Sequence, residues 1–259
     1  MPAKINVELL PGQNAIAEVL EHAPDRLESL VACRYSNSKI KNPVEELVSK
    51  AKRERVEVSY FSEKEFSRLL GEEKHQGAVG LLKPYSFTAE SILDAEVRSQ
   101  KPSLILILDQ INDSNNLGSI FRLAAAAGVS AIFTTKNNSA QVTPTVRRVS
   151  MGSTELLPWS SVTNLAQLIK QLKESEFWVY GSKLGEGASN VFDVEMPRKL
   201  ALVLGSEESG MRRLTADNCD MLVQIPMQGR LESLNVSQAA SVLVFEVFRQ
   251  WRSSQGIGL

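Results

Sequence analysis

Asp109-Gln-Ile-Asn-Asp-Ser-Asn-Asn-Leu-Gly-Ser-Ile-Phe-Arg-Leu-Ala-Ala-Ala-Ala-Gly128 is the stretch that decides the fold. Ahead of it, Ser103 to Leu108 is short and almost wholly aliphatic, the pattern of a strand buried on both faces of a parallel sheet. Behind the turn, Leu117, Ile120, Phe121, Leu123, Ala124 and Ala127 recur at helical spacing, and Gly128 follows as a stop. The junction between them holds Asn116, Gly118 and Arg122, and such strand-to-helix junctions are where α/β proteins place their chemistry. Arg122 has only small helical neighbours, Gly118, Ser119, Ala125 and Ala126, so its guanidinium projects from an approachable face. On these residues alone two readings stand: a functional cation, or a solvated surface charge on a helix capped by Asn115 or Asn116.

Outward from this stretch the pattern repeats. Strands are predicted near Leu104 to Asp109, Ala131 to Thr135, Trp178 to Ser182, Leu200 to Leu204 and Met221 to Ile225, alternating with helices, which predicts an α/β domain with a parallel sheet. The last helix carries a wide apolar stripe, Val236, Ala239, Ala240, Leu243, Val244, Val247 and Phe248, suited to a core or an interface. The first part, to about Tyr85, reads as a separate compact α/β unit. Its helices fall near Gln13 to His22, Pro43 to Glu54 and Glu63 to Leu70, and its strands near Leu27 to Tyr35, Val56 to Phe61 and Ala78 to Pro84. The expected boundaries are a domain over 1–85, a linker over 86–102, polar apart from a short amphipathic stretch at Ile92 to Val97, and a second domain over 103–259.

Composition narrows the function classes. A chain of 259 residues with net charge −1 has no global electrostatic signature of a nucleic-acid binder, so any phosphate-binding surface must be local. The candidates are Lys50, Lys52, Arg53 and Arg55, then Arg147 with Arg148, then Arg212 with Arg213, each of which also reads as a plain solvated face. Cys33 and Cys219 are too few and too distant for a disulfide scaffold and lack metal-ligand spacing, so no metal is expected. Met1 to Gly12 has no signal-peptide core and no run reaches membrane-span length, so a soluble cytoplasmic protein is expected.

Two further segments bear on Arg122. Leu200 to Met211 runs from a buried strand into a loop holding Gly205, Glu207 and Gly210, where glycines flank a carboxylate. Ile225-Pro226-Met227 is followed by Ser233-Leu234-Asn235-Val236-Ser237-Gln238, in which Asn235 and Gln238 have capping-box spacing. Each is unremarkable alone, a turn and a cap. In order and spacing, however, Asn116/Gly118/Arg122, Gly205/Glu207/Gly210 and the Ile225 to Met227 plus Ser233 to Ser237 pair resemble the three signature motifs of the TrmH family of SPOUT methyltransferases. The match spans Ser103 to about Trp251; one departure is Asp113-Ser114 where the family often has Asp-Pro, which loosens a turn without removing a chemical group. The first part is similar to the L30e-like substrate-binding domain of that family, His75-Gln76-Gly77 matching a tripeptide near its end.

The resemblance implies a parallel sheet flanked by helices with a deep C-terminal trefoil knot, S-adenosylmethionine as cofactor, and methylation of ribose 2′-hydroxyls in RNA by a homodimer. It implies Gly205, Ile225, Pro226, Met227 and Leu234 as cofactor-binding residues, and Arg122, Asn116, Glu207, Ser233 and Asn235 as the catalytic set. The appended first domain favours a guanosine of 23S ribosomal RNA as target, with transfer RNA the alternative; neither DNA nor a membrane is expected as a partner. A non-catalytic RNA-binding factor of ribosome assembly is the competing class, opposed by the intact Asn116, Arg122, Glu207 and Asn235.

Overall fold

A computed structural model of the chain describes residues 8–33, 43–70, 76–207, 209–230 and 233–254. Its contacts divide the chain into two compact units, Met1–Ser86 with Val142–Leu156, and Phe87–Gln141 with Leu157–Leu259.

The first unit opens with β1 (Glu8–Pro11), α1 (Gln13–His22) and β2 (Leu27–Cys33), then α2 (Pro43–Arg53), β3 (Glu57–Phe61), α3 (Glu63–Leu70) and β4 (Ala78–Leu82). The four strands form one sheet in the order β1-β4-β2-β3, with only β2 and β3 parallel. Alternation along β2 explains the layering: Leu30 and Ala32 join a core with Ile16, Val19, Leu47 and Val48 of α1 and α2, whereas Val31 and Cys33 pack with Phe66 of α3 on the other face. Tyr35 and His75 lie outside the described residues.

The second unit begins where a linker is expected. Thr88 caps α4 (Ala89–Arg98) in a reciprocal capping box with Ser91, and Ile92 is buried against the sheet that follows, so most of 86–102 is an ordered helix of this unit. Next come β5 (Ser103–Asp109), buried at every residue, then α5 (Ser114–Ala127) and β6 (Ala131–Thr135). The cap of α5 is Asp113, whose Oδ1 accepts from Asn116 N at 2.7 Å; neither Asn115 nor Asn116 plays that part, which leaves the Asn116 amide free for other work.

The chain then returns to the first unit. The segment Val142–Leu156, expected with the second domain, carries α6 (Pro144–Val149) and a 3-10 turn at Ser153–Glu155 that pack with β1 and α1. Gly152 sits at φ 80°, and a Cβ there would fall 2.6 Å from the Ala15 carbonyl oxygen, so this approach requires glycine. Two ion pairs that span more than a hundred residues, Arg26–Glu155 and Glu8–Arg147, fasten the segment. Glu155, 0 % exposed, accepts from Arg26 Nη2 at 2.7 Å and from Arg147 Nε at 3.0 Å, and Arg147 also pairs with Glu8. Arg147 is therefore a buried structural cation and is removed from the candidate phosphate contacts.

The second unit resumes with β7 (Trp159–Val162), α7 (Leu165–Glu174), β8 (Trp178–Ser182), the two-residue β9 (Ser189–Asn190), β10 (Lys199–Gly205), α8 (Arg213–Asp217), β11 (Met221–Gln224) and α9 (Val236–Ser254). Seven parallel strands lie in the order β7-β6-β5-β10-β8-β11-β9. Helices α4 and α7 cover one face through Ile92, Leu165, Leu168 and Leu172, while α5 and α9 pack on each other, with α9 also against β10. The stripe on α9 is spent inside the chain at Val236, Ala240, Leu243, Val244 and Val247, and Phe245 is left exposed. No helix among the described residues is long and apolar enough to cross a membrane.

Candidate functional site

Because the strand order reverses at β5 and β10, the carboxyl ends of these two neighbours open a crevice. There Gly205 is paired with Asp109 in the sheet. Beyond Gly205 the chain doubles back sharply, Ser206 and Gly210 exchanging backbone hydrogen bonds of 3.1 and 3.0 Å. A Cβ on residue 205 would lie 2.1 Å from both Gly210 C and Met211 N, so the loop closes only over glycine.

This turn carries Glu207 to the start of two helices. Its Oε1 accepts from Asn116 Nδ2 at 3.1 Å, Asn235 Nδ2 at 2.5 Å and Val236 N at 3.2 Å. Asn235 Nδ2 also donates to Asn116 Oδ1 at 2.9 Å, while its own Oδ1 accepts from Ser237 N at 2.9 Å and Ser237 Oγ at 2.6 Å. Asn235 thus caps α9 through Ser237 and cross-links it to α5 and to the Glu207 loop. One carboxylate near two helix N-termini is electrostatically favoured, since each terminus carries the positive end of a helix dipole.

Next to this network lies a cavity of about 710 Å³ at the ends of β8, β10 and β11, within the size range of small-molecule and cofactor sites. Of the residues expected from sequence, Gly205, Ile225, Met227, Leu234, Glu207 and Ser233 line it. Pro226, Asn116 and Asn235 do not, the last two standing behind Glu207. Arg122 is brought to neither the cavity nor the network. Six residues past Asn116, it lies roughly 120° further round α5, exposed and without a hydrogen bond or ion pair among the described residues.

Several wall residues escaped the sequence reading. Ser182 ends β8, Lys183 and Leu184 follow it, and all three line the cavity together with Met211, Leu222 and Asp217; Arg213, a candidate phosphate contact from sequence, lines it as well. The loop after β8 is held by Gln224, which accepts from Gly185 N at 3.2 Å and donates to Ala188 O at 3.1 Å. The available signal was Gly185 and Gly187, both at positive φ, bracketing a turn at a strand end. Among the described residues no group of three or more His, Cys, Asp or Glu is placed to hold a metal ion.

Behind the cavity Cys219 packs near Gly181 and donates to Thr215 O at 3.3 Å. Burial pushes its thiol up to about 12, only partly opposed by Lys173. In the native protein at pH 8, Cys219 is expected to resist iodoacetamide and to react on unfolding, as read by peptide mass spectrometry; rapid native labelling contradicts this environment.

Residues 103–245 match the SpoU rRNA Methylase family, and residues 9–88 match the family described as RNA 2'-O ribose methyltransferase substrate binding. The chain is 36% identical over 244 residues to the 23S rRNA (guanosine-2'-O-)-methyltransferase RlmB of Pasteurella multocida, covering 94% of this chain and 98% of that protein. It is 38% identical over 241 residues to RlmB of Xanthomonas campestris pv. campestris, covering 92% and 95%. In fold it is similar to the SpoU methyltransferase AviRb of Streptomyces viridochromogenes, with TM-score 0.77 and 23% identity over 96% of this chain and 91% of that one. AviRb in complex with the cofactor AdoMet aligns with TM-score 0.75 and 23% identity over 95% and 90%. By this length and degree of similarity, the chain belongs to the SpoU rRNA methylase family.

Proposed function

We propose that the protein transfers a methyl group from S-adenosylmethionine to the ribose 2′-hydroxyl of a guanosine in 23S ribosomal RNA. The observation that carries this reading is the meeting of Asn116 and Asn235, far apart in sequence, on Glu207, which itself lines the cavity. RlmB relatives carry that activity in their names and AviRb is described with AdoMet bound, which supports the cofactor and the RNA class.

The residues present fit the cofactor. Leu204, Leu222, Ile225 and Leu234 offer apolar walls to a purine, and Lys183, Glu207, Asp217 and Ser233 offer opposite charges and a hydroxyl to a zwitterionic tail. When bound, S-adenosylmethionine supplies a methyl carbon already activated by its sulfonium. What remains for the chain is to align the ribose oxygen and ease loss of its proton as the O–C bond forms and the C–S bond breaks. In this reading Asn116, Glu207 and Asn235 hold the substrate-side wall in one geometry, and Ser233 contributes a hydroxyl at the cavity edge.

Arg122 takes the role of a cation for the RNA phosphate. A guanidinium remains protonated, which makes it a poor base; its exposed fork, with no competing carboxylate among the described residues, suits a phosphate whose oxygens or bound water receive the proton. Arg122→Lys keeps the charge and loses the fork. It is expected to lower kcat about a hundredfold with cofactor affinity unchanged; wild-type turnover removes Arg122 from the mechanism.

The same reading includes the trefoil knot, supported by the return of α9 onto α5 and β10, and a homodimer, supported by the exposed Phe245 on α9. It assigns RNA binding to the first unit, and the cytoplasm as the compartment. The test of the whole is incubation with 23S transcripts and labelled cofactor: label in the RNA supports it, and binding without label favours an assembly factor instead.

A further inference from the structure

Of the arginines that the sequence offers to phosphates, Arg212 is held differently from the rest. Arg147 is consumed by the buried carboxylate of Glu155 and by Glu8, and Arg213 is an exposed side chain 3.7 Å from Asp217. Arg212 donates from Nε to Asp109 Oδ1 at 2.9 Å and from its backbone N to Asp109 Oδ2 at 3.1 Å. The Asp109 side chain is 0 % exposed and that of Arg212 is 43% exposed. A buried carboxylate therefore grips one edge of the guanidinium. Among the described residues nothing bonds Nη1 or Nη2, so four of the five N–H donors of the fork remain open.

The position of this fork is specific. Asp109 ends β5 and faces Gly205 across the sheet, and the residues that follow it lead straight into the Asp113 cap of α5. Met211 and Arg213 on either side of Arg212 line the cavity, whereas Arg212 turns the other way, toward β5. The open donors thus stand at the carboxyl end of β5, beside the crevice between β5 and β10. An arginine already fixed by a buried partner loses little side-chain freedom when it takes a second anion, unlike a free surface arginine.

We infer that Arg212 contacts a phosphate of the RNA flanking the reacting nucleotide, with Asp109 as the positioning residue that aims it. The inference rests on the RNA methyltransferase reading given above. It makes Arg212 a determinant of RNA binding, separate from cofactor binding and from the chemical step.

The test uses the full chain, 23S transcripts and S-adenosylmethionine at one fixed salt concentration. Arg212→Lys retains a cation but cannot both bond Asp109 and present a fork. Because truncating Arg212 alone would leave Asp109 buried and unpaired, the second variant is the double change Asp109→Asn with Arg212→Gln. In both, KM and Kd for RNA are expected to rise about tenfold, while kcat and the calorimetric Kd for S-adenosylmethionine stay within about twofold. Unchanged RNA affinity in both variants overturns the inference, as does a loss of cofactor affinity as large as the loss for RNA, which would make the pair a loop clamp. If wild-type protein binds the cofactor and neither binds nor methylates the transcripts, the underlying RNA reading falls first, and this inference with it.

Discussion

Replacing Gly205 by alanine is expected to weaken S-adenosylmethionine binding by about a hundredfold or more, the largest single-site effect on the cavity. The added Cβ would sit 2.1 Å from two backbone atoms of the returning loop, closer than packed Cβ atoms come. Neither neighbour is the end of a flexible side chain, so the Ser206–Gly210 pairing must open. Overpacking of this kind costs roughly 1–3 kcal/mol before any hydrogen bonds are lost, and each 1.4 kcal/mol is about tenfold in affinity. Opening the turn also withdraws Glu207 from Asn116, Asn235 and Val236, so the cavity and the substrate-side wall fail together. Isothermal calorimetry measures the affinity; a variant that binds the cofactor as wild type does would mean that the loop has another way to close.

Glu155→Ala should have the largest effect on stability, and none of it arises at the cavity. Two guanidiniums, of which Arg147 is 5 % and Arg26 17% exposed, lose the carboxylate they share. Removing one partner of a buried ionic cluster costs about 3–5 kcal/mol, a large part of the 5–15 kcal/mol that keeps a typical domain folded. The expected signs are a fall in Tm of about 10 °C and faster hydrogen exchange in α1 and in Ser153–Glu155. Glu174→Ala provides the contrast: its partner Lys170 is 3.8 Å away and both side chains are mostly exposed, so almost no change is expected. Equal effects in the two variants would show that the buried cluster contributes no more than a surface pair.

These two variants also mark what the sequence could and could not disclose. The strand Ser103–Asp109 and helix Ser114–Ala127 were legible because period and aliphatic content report burial directly. The meeting of Asn116, Glu207 and Asn235 was legible only through motif order, since hydrogen bonds spanning 91 and 119 residues leave no local pattern. The same limit hid the attachment of Val142–Leu156 to the first unit, which depends on pairs such as Arg26 with Glu155, 129 residues apart. The helix Ala89–Arg98 was hard to read for a different reason: Ile92 is its one buried residue and half of its residues are polar or charged, so its sequence resembles a connecting segment. In the Arg212–Arg213 pair, adjacency in sequence concealed different fates, Arg212 being held by the buried Asp109 and Arg213 left exposed. Arg122 was singled out by sequence, and the structure leaves it exposed on α5 apart from the cavity.

Locating the label decides whether a methyl group is transferred to a ribose oxygen. Wild-type protein would be incubated with 23S ribosomal RNA and S-adenosylmethionine carrying an isotopically labelled methyl group, and the RNA digested to nucleosides for mass spectrometry. One labelled species is expected, a guanosine carrying the methyl on its ribose 2′-oxygen. Label on a base, or none in RNA that the protein demonstrably binds, would contradict it.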